Sequence, residues 1–388
     1  MGLVPAYLRP PMWKRPWFRR TTYALFGIPI GFVLLTSLFM NLHPAFGGSP
    51  SKADRERFAA SAQYTGGKFH NSLPTTMDLS LGDYPGMLVK FFRPDPGREP
   101  AHKLKVLHPD PALVARPAAV PRLTWFGHSA FLLQLDSLNI LLDPMFGPVP
   151  APVTWLGRPR FTEGLPIAVD SLPHIDAIFF SHDHYDHLDH GSILKLKDRT
   201  DAFFVPLGVG AHLRAWGVPE ERIHELDWWQ ETTYQGLDLA FTPARHFSGR
   251  GLMDRFSTLW GSWVIKGRTG SIYFSGDGGY GPHFAEIGER YGPFDLALME
   301  CGQYNELWAQ IHMMPEETAQ AAMDVRAKHF MPIHWGSFAL AMHTWTDPVV
   351  RVVAAAQELG VPITTPRIGE VLDLGGNTWP SEPWWAGL

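Results

Sequence analysis

The chain has 388 residues, 45% of them hydrophobic and 18% charged, with a formal net charge of −5; this is a globular composition, sufficient for one large catalytic domain plus an appendage. No global basic field exists, and no Lys/Arg run interleaved with aromatics follows residue 60, which argues against nucleic acid as a partner. Cys301 is the only cysteine, so neither an intramolecular disulfide nor a thiolate-rich zinc site can form, and any metal must be held by His and carboxylate.

In chain order, a basic segment (1–21) is followed by TTYALFGIPIGFVLLTSLFMNL, charge-free from Thr21 to Leu42 and about as long as a bilayer-spanning helix. Lys14, Arg15, Arg19 and Arg20 before it outnumber Lys52, Arg55 and Arg57 after it. The positive-inside rule then predicts a single-pass anchor over 22–42, with a cytoplasmic N-terminus and an exported, periplasmic or extracellular body. A cleaved signal peptide is the first alternative, with Ala45-Phe46-Gly47 as a small-x-small cleavage site and Arg19-Arg20 as a weak twin-arginine hint. A buried core helix is the second, and leaves the basic flank unexplained. Residues 43–120 are a Pro-rich extension, where Pro94, Pro96, Pro100, Pro109, Pro111 and Pro117, with Pro121 just after, break any long helix or central strand. Loops packed on the following domain are expected.

The domain proper spans 121–388. Short apolar runs of strand length recur there: LTWFG, AFLLQL, NILL, AIFF, AFFVP, LAFTP, SWVIKG, SIYF, LALME and HFMPI. SILKLKDR, PEETAQAAMDVRAKH and DPVVRVVAAAQELG carry apolar residues at helical spacing, with Pro315-Glu316-Glu317 as a good first turn. An α/β fold follows.

Chemistry concentrates where the AIFF strand ends. His182, His184, Asp186 and His187 spell H-x-H-x-D-H, and alternate residues of an extended turn project to one side, so His182 and His184 can grip one ion while Asp186 and His187 reach a second. Imidazole and carboxylate suit Zn2+, and two ions about 3.5–4 Å apart activate water. The bland reading is a solvated polar loop, which leaves such crowded titratable groups after a buried strand costly. The strand-then-ligand arrangement recurs at His246, Asp277 and His334. Each alone would more often be a core histidine or a turn aspartate; together with the turn they form a ligand set. Two glycines after Asp277 would allow close backbone approach to the metals.

SHDHYDHLDH, a single later His, GDGGY and IHWG resemble the metallo-β-lactamase superfamily. LLDPMFG, SHDHYDHLD, TPARHFSGR, LWGSWVI, SGDGGY, GPFDLAL and MPIHWGSFAL resemble, more narrowly, the N-acylphosphatidylethanolamine-hydrolysing phospholipase D family, over about residues 65 to 355. Three positions depart from that pattern: Asp183 for a usual Asn, Gly278 for a usual Thr, and Arg245 in ARH for AQH. None removes a ligand, so they bear on substrate.

The resemblance implies an αββα sandwich behind the N-terminal transmembrane helix. It implies that His182, His184 and His246 hold one divalent ion, that Asp186, His187 and His334 hold the other, and that Asp277 bridges both, with Zn2+ expected and Mn2+ the alternative. The nucleophile would be a metal-bridging hydroxide; the G-x-S-x-G elbow is absent and GHSAF (127–131) does not supply it. His312 and Asp143 would lie near the metals in catalytic roles, His312 able to protonate a departing alkoxide. Their plain alternatives are a helix-flanking histidine and a turn aspartate. His128 is balanced between supporting a ligand and packing. Trp260, Trp263, Trp308 and Trp335 are core residues first and substrate wall second. The implied function is phosphodiester hydrolysis of an N-acylphosphatidylethanolamine-like lipid or a small-molecule phosphodiester. The alternatives are a lactonase or other small-ester hydrolase, and a non-enzymatic membrane-tethered metal-binding protein.

Overall fold

The computed structural model describes residues 12–77, 80, 82–92, 96–116, 118–376 and 378–388; the start of the basic segment, Pro94 and Pro117 lie outside the described residues. Two compact units divide between Phe46 and Gly47. In the first, one helix runs Pro16–Leu42 over 27 residues, roughly 40 Å at 1.5 Å per residue, against a hydrocarbon layer of about 30 Å. None of the side chains in its apolar stretch Ile28–Leu42 is buried, so the core-helix alternative does not hold. The segment is long and apolar enough to cross a membrane, as an anchor or as a signal sequence.

The second unit, Gly47–Leu388, contains a small hairpin of β1 (Tyr64–Thr65) and β2 (Lys68–Phe69) and two large sheets. The first large sheet comprises β3 (Arg122–Trp125), β4 (Phe131–Leu135), β5 (Leu138–Leu142), β6 (Ile175–Phe179), β7 (Thr200–Pro206), β8 (Ile223–Leu226) and, later in the chain, β15 (Val371–Asp373). Its order is β15-β3-β4-β5-β6-β7-β8, antiparallel up to β5 and parallel from β5 to β8. The second comprises β9 (Glu231–Tyr234), β10 (Leu237–Thr242), β11 (Ser262–Lys266), β12 (Ser271–Phe274), β13 (Leu296–Glu300) and β14 (Phe330–Ile333), in the order β14-β13-β12-β11-β10-β9. Here β12, β13 and β14 are parallel and the rest antiparallel.

Strand alternation assigns each side chain to a layer. Ala177 and Phe179 of β6 meet Phe241, Trp263, Phe274 and Leu298 between the sheets. Ile178 and Phe203 turn outward against Ile193, Leu196 and Leu213 on the helices His190–Leu196 and Gly210–Ala215. Tyr273, Ala297 and Met299 turn outward from the second sheet against Phe284, Ala319 and Val352, from the helices His283–Tyr291, Pro315–Asp324 and Asp347–Leu359. These three apolar interfaces make the expected αββα sandwich. Because β6, β7 and β13 are covered on both faces, each carries an apolar run, AIF, AFFVP and LALM, rather than an alternating pattern.

Three details differ from the sequence pattern. The helix expected to run on to His329 ends at Asp324, because Arg326 takes a left-handed φ of 60°. The helix His283–Tyr291 and the polar strand β9 carry too few apolar residues to stand out. Residues 47–120 are more than wrapping: Phe58, Phe69 and Leu104 enter the central core.

Candidate metal centre

Every candidate ligand sits on a loop just beyond a strand of the sandwich: the 182–187 turn after β6, His246 after β10, Asp277 after β12 and His334 after β14. The ends of both sheets thus deliver their loops to one edge.

In the first half of the centre, His182 Nε2 lies 2.8 Å from His184 Nδ1, which lies 3.2 Å from His246 Nε2. Around a tetrahedral zinc with bonds of about 2.0–2.1 Å, neighbouring ligand atoms would be about 3.3 Å apart. Two of the three imidazoles are held from behind: the Ser181 hydroxyl accepts from His182 Nδ1 at 2.9 Å and the Ile311 carbonyl accepts from His246 Nδ1 at 2.9 Å. Both hydrogens are thereby fixed at the rear and the lone pairs face one another. Burial, together with the other imidazoles, holds the pKa of His182 and of His246 well below the ordinary value.

The second half is built on carboxylates. His187 Nε2 and His334 Nε2 lie 3.1 and 3.0 Å from Asp277 Oδ2, and 3.4 and 3.1 Å from Asp186 Oδ2. Asp277 also faces the first half, with Oδ2 3.9 Å from His182 Nε2. Its other oxygen, Oδ1, is buried without a hydrogen-bond partner. A buried carboxylate oxygen left bare beside converging imidazole nitrogens fits a cation ligand. Burial works to lower the pKa of His334, yet Asp277, Asp186 and Glu300 push it up to about 10. His187 is likewise raised, against burial, by Asp277, Asp186 and Asp143.

Behind these ligands stands a row that the sequence revealed only in part. Asp143 is fully buried behind His187 and does not line the cleft: its Oδ2 accepts from His187 Nδ1 at 2.6 Å, and its two oxygens accept from the Ser181 amide and hydroxyl. His128 does more than pack, since its Nε2 lies 2.9 Å from Asp186 Oδ2. Glu300, at the end of β13, has no motif of its own; it is fully buried and reaches His312 Nδ1 at 3.0 Å and His334 Nδ1 at 3.4 Å. Asn71, from the Pro-rich extension, brackets the His246 backbone, donating to its carbonyl at 2.8 Å and accepting from its amide at 3.1 Å. The left-handed φ of His128 (56°), Asp143 (36°) and His334 (67°) places backbone strain at this edge.

The ligands open onto a cleft of about 200 Å³ lined by His184, Asp186, Phe247, Asp277, Gln303, Trp308, Ile311, His312, His334 and Leu340. Trp308 is therefore wall, whereas Trp260, Trp263 and Trp335 are core. The three departures from the family pattern lie off this lining. Asp183 turns away to accept from the Gly249 amide and the Thr258 hydroxyl, both at 2.8 Å. Arg245 ties Pro74 and Thr75 of the extension to Gln310. Gly279 makes its close approach to protein backbone rather than to a metal: a Cβ there would stand 2.2 Å from the Gln310 carbonyl oxygen, two residues before His312. Gly278 is tight against the Arg245 amide, at 3.2 Å.

Residues 138–335, the span from β5 to just past His334, match the Beta-lactamase superfamily domain. The chain belongs to the metallo-β-lactamase superfamily. It is similar to an uncharacterized protein of Mycobacterium tuberculosis, 39% identical over 90% of this chain and 95% of the relative. It is also similar to the N-acyl-phosphatidylethanolamine-hydrolyzing phospholipase D 1 of Caenorhabditis elegans, 31% identical over 56% of this chain and 64% of the relative. Among solved structures, an isothiocyanate hydrolase from Delia radicum gut bacteria shares the fold, with a TM-score of 0.51 and 21% identity over 65% of this chain and 98% of that one. Membership makes the chain a metal-dependent hydrolase by class, and divalent-metal binding is implied by the superfamily. The clustered His and Asp ligand atoms fit that requirement.

Proposed function

We propose that the protein hydrolyses a phosphodiester, with an N-acylphosphatidylethanolamine-like phospholipid as substrate. Two divalent ions, zinc first and manganese as the alternative, would be held by His182, His184 and His246 and by Asp186, His187 and His334, with Asp277 between them. Such ions, when bound, supply Lewis acidity that activates water near neutral pH and offsets phosphoryl charge.

The observation that carries the reading is the position of His312. Its ring lies edge-on to His246 at 5.0 Å and stacked on His334 at 5.3 Å, and it lines the cleft while its Nδ1 is occupied by Glu300. A protonated Nε2 on that wall would deliver a proton to a departing alkoxide oxygen, the need that separates an alkyl phosphodiester from an activated ester. Asp143 acts one step back, as a positioning residue that fixes the tautomer of His187. Phe247, Trp308, Ile311 and Leu340 give the ligands an apolar flank suited to lipid. The printed name of the C. elegans relative supports the same bond type. The apolar helix Pro16–Leu42 supports a substrate that lives in a bilayer, with the catalytic body on the exported side.

The test is a purified-protein panel of a lipid phosphodiester, a soluble aryl phosphodiester and lactones, using the full chain and a form beginning at Ser49. The full chain should cleave phospholipid in vesicles. The shorter form should keep its metals and the aryl diester, lose much of its rate on vesicles, and regain part of it on detergent-dispersed lipid. Efficient lactone opening with no cleavage of lipid diester in detergent would replace this reading with a small-ester hydrolase, which a cleft of only about 200 Å³ would also suit.

A further inference from the structure

Glu300 is a fully buried carboxylate at the floor of the cleft wall. Its Oε2 accepts from the Met313 amide at 3.0 Å, and its Oε1 faces His312 Nδ1 at 3.0 Å and His334 Nδ1 at 3.4 Å. One oxygen therefore touches two imidazoles that stack face to face, 7° from parallel. The carbonyl of Glu300 is itself fixed by the Thr318 hydroxyl at 2.8 Å, and its amide by Ser275 Oγ at 2.9 Å.

A carboxylate can only accept, so the hydrogen between Glu300 and His312 must sit on His312 Nδ1, while His334 Nδ1 donates to the Gly302 carbonyl at 3.4 Å with Glu300 Oε1 at the same distance. For His334 this turns the Nε2 lone pair toward Asp186 and Asp277, where a ligand is wanted. For His312 it means that any proton on Nε2 is a second proton, on a ring whose Nδ1 hydrogen already faces Glu300.

We propose that Glu300 is a positioning residue that sets His312 as the proton donor to the leaving group; the Gly302 carbonyl keeps an acceptor at His334 Nδ1, so ligation by His334 does not depend on Glu300. The inference rests on the hydrolase reading above. In the step concerned, a water that has given up one proton to solvent bonds through its oxygen to phosphorus, the bond from phosphorus to the leaving oxygen breaks with its electron pair on that oxygen, and the proton on His312 Nε2 passes to it. His312 is left neutral with its hydrogen on Nδ1, facing Glu300.

Glu300→Gln is the discriminating change, because its carbonyl oxygen still accepts from Met313 while its amide donates to His312 Nδ1 and forces the remaining hydrogen onto Nε2 of a neutral ring. On the zinc-loaded full chain, this variant should slow a diester with an alkyl leaving group by roughly 10- to 100-fold. It should slow an activated aryl diester by a smaller factor, since that leaving group needs little protonation. In a His312→Ala background the same substitution should cost nothing further on the alkyl substrate, because both changes remove one function. Equal slowing of both substrates, full additivity with His312→Ala, or loss of zinc would overturn the proposal. A readout that needs no turnover is 15N NMR of histidine-labelled protein, with His312 assigned by its absence in His312→Ala. The wild type should carry hydrogen on His312 Nδ1 and Glu300→Gln should move it to Nε2. A wild-type His312 bare at Nδ1 also overturns the proposal, even should the variant not fold. If the wild type cleaves no phosphodiester, the functional reading fails by itself, and the NMR result still decides the role of Glu300.

Discussion

The two halves of the proposed metal centre share a turn of six residues and differ in what stands behind them. His182 and His246 lean on neutral acceptors, a serine hydroxyl and a main-chain carbonyl. His187 leans on the Asp143 carboxylate and His334 on the Gly302 carbonyl with the Glu300 carboxylate beside it, and both face two more carboxylates, Asp186 and Asp277. The first half therefore resists protonation, and the second attracts positive charge of any kind. Ligand spacing alone makes the halves look equivalent. Their electrostatics come from residues scattered through the chain, and the difference shows that the rear row decides how each half trades protons for metal.

The change expected to have the largest effect removes the carboxylate that faces both halves. Asp277→Asn keeps the size of the side chain and loses its charge, so metal content should fall from about two equivalents to one or fewer and turnover should be abolished. The fold should stay largely assembled, since Asp277 Oδ1 makes no hydrogen bond that the scaffold needs. About two equivalents of metal with normal activity in this variant would remove Asp277 from the centre.

His312→Ala comes next, and it separates ligation from proton transfer. His312 touches a ligand of each half without being needed by either. Metal content should hold while turnover of an alkyl diester falls by roughly 10²- to 10⁴-fold, and an aryl diester with an activated leaving group should be nearly unaffected. Equal loss on both substrates would assign the residue to packing.

This contrast also explains how much was legible in the sequence. The candidate ligands were legible because metal binding would impose short spacing on one turn and a strand-end position on the others, and the sandwich was legible because AIF in β6, AFFVP in β7 and LALM in β13 are apolar runs. Glu300 and Asn71 were not, because a buried Glu closing a strand and an Asn in a Pro-rich stretch look like any polar residue until the fold sets them against His334 and His246. Asp143 and His312 were legible as positions of interest, but only their depth, one buried behind His187 and the other on the cleft wall, separates their roles. Trp308 looked like its three core counterparts because the sequence around it has no feature that reveals a cleft.

The third expected effect is graded with pH. His334 is raised to about 10 and His187 is also raised, so below that pH a cation entering the second half must displace protons. His182 and His246 are held down, so a cation entering the first half at neutral pH displaces none. Affinity of the second half should therefore weaken by up to about tenfold per pH unit and per proton displaced on acidification, while the first half is unchanged. Zinc titration by calorimetry in buffers of different ionisation enthalpy checks this: proton release should be confined to one of two binding steps. Equal release in both steps would erase the electrostatic difference between the halves.

The smallest effect should come from a residue inside the turn that belongs to neither half. Burial works to raise the pKa of Asp183, but His212, His184 and the Gly249 amide outweigh it and hold it well below the usual carboxylate range. A carboxylate whose pKa is lowered by folding stabilises the native state above its unfolded pKa, near 3.9, and loses that contribution as pH falls toward the folded value. Asp183→Asn removes the charge and keeps the acceptor for Gly249, so it should cost about 1–3 kcal/mol at pH 7 and leave metal content and turnover within about twofold of wild type. Denaturant midpoints of the two metal-free proteins should run parallel from pH 7 to about pH 4, then converge below it as wild-type Asp183 takes up its proton. Midpoints that stay equally separated in acid would mean that the carboxylate charge contributes nothing. A loss of metal in Asp183→Asn would mean that the turn cannot be divided into ligands and scaffold as its side-chain directions divide it.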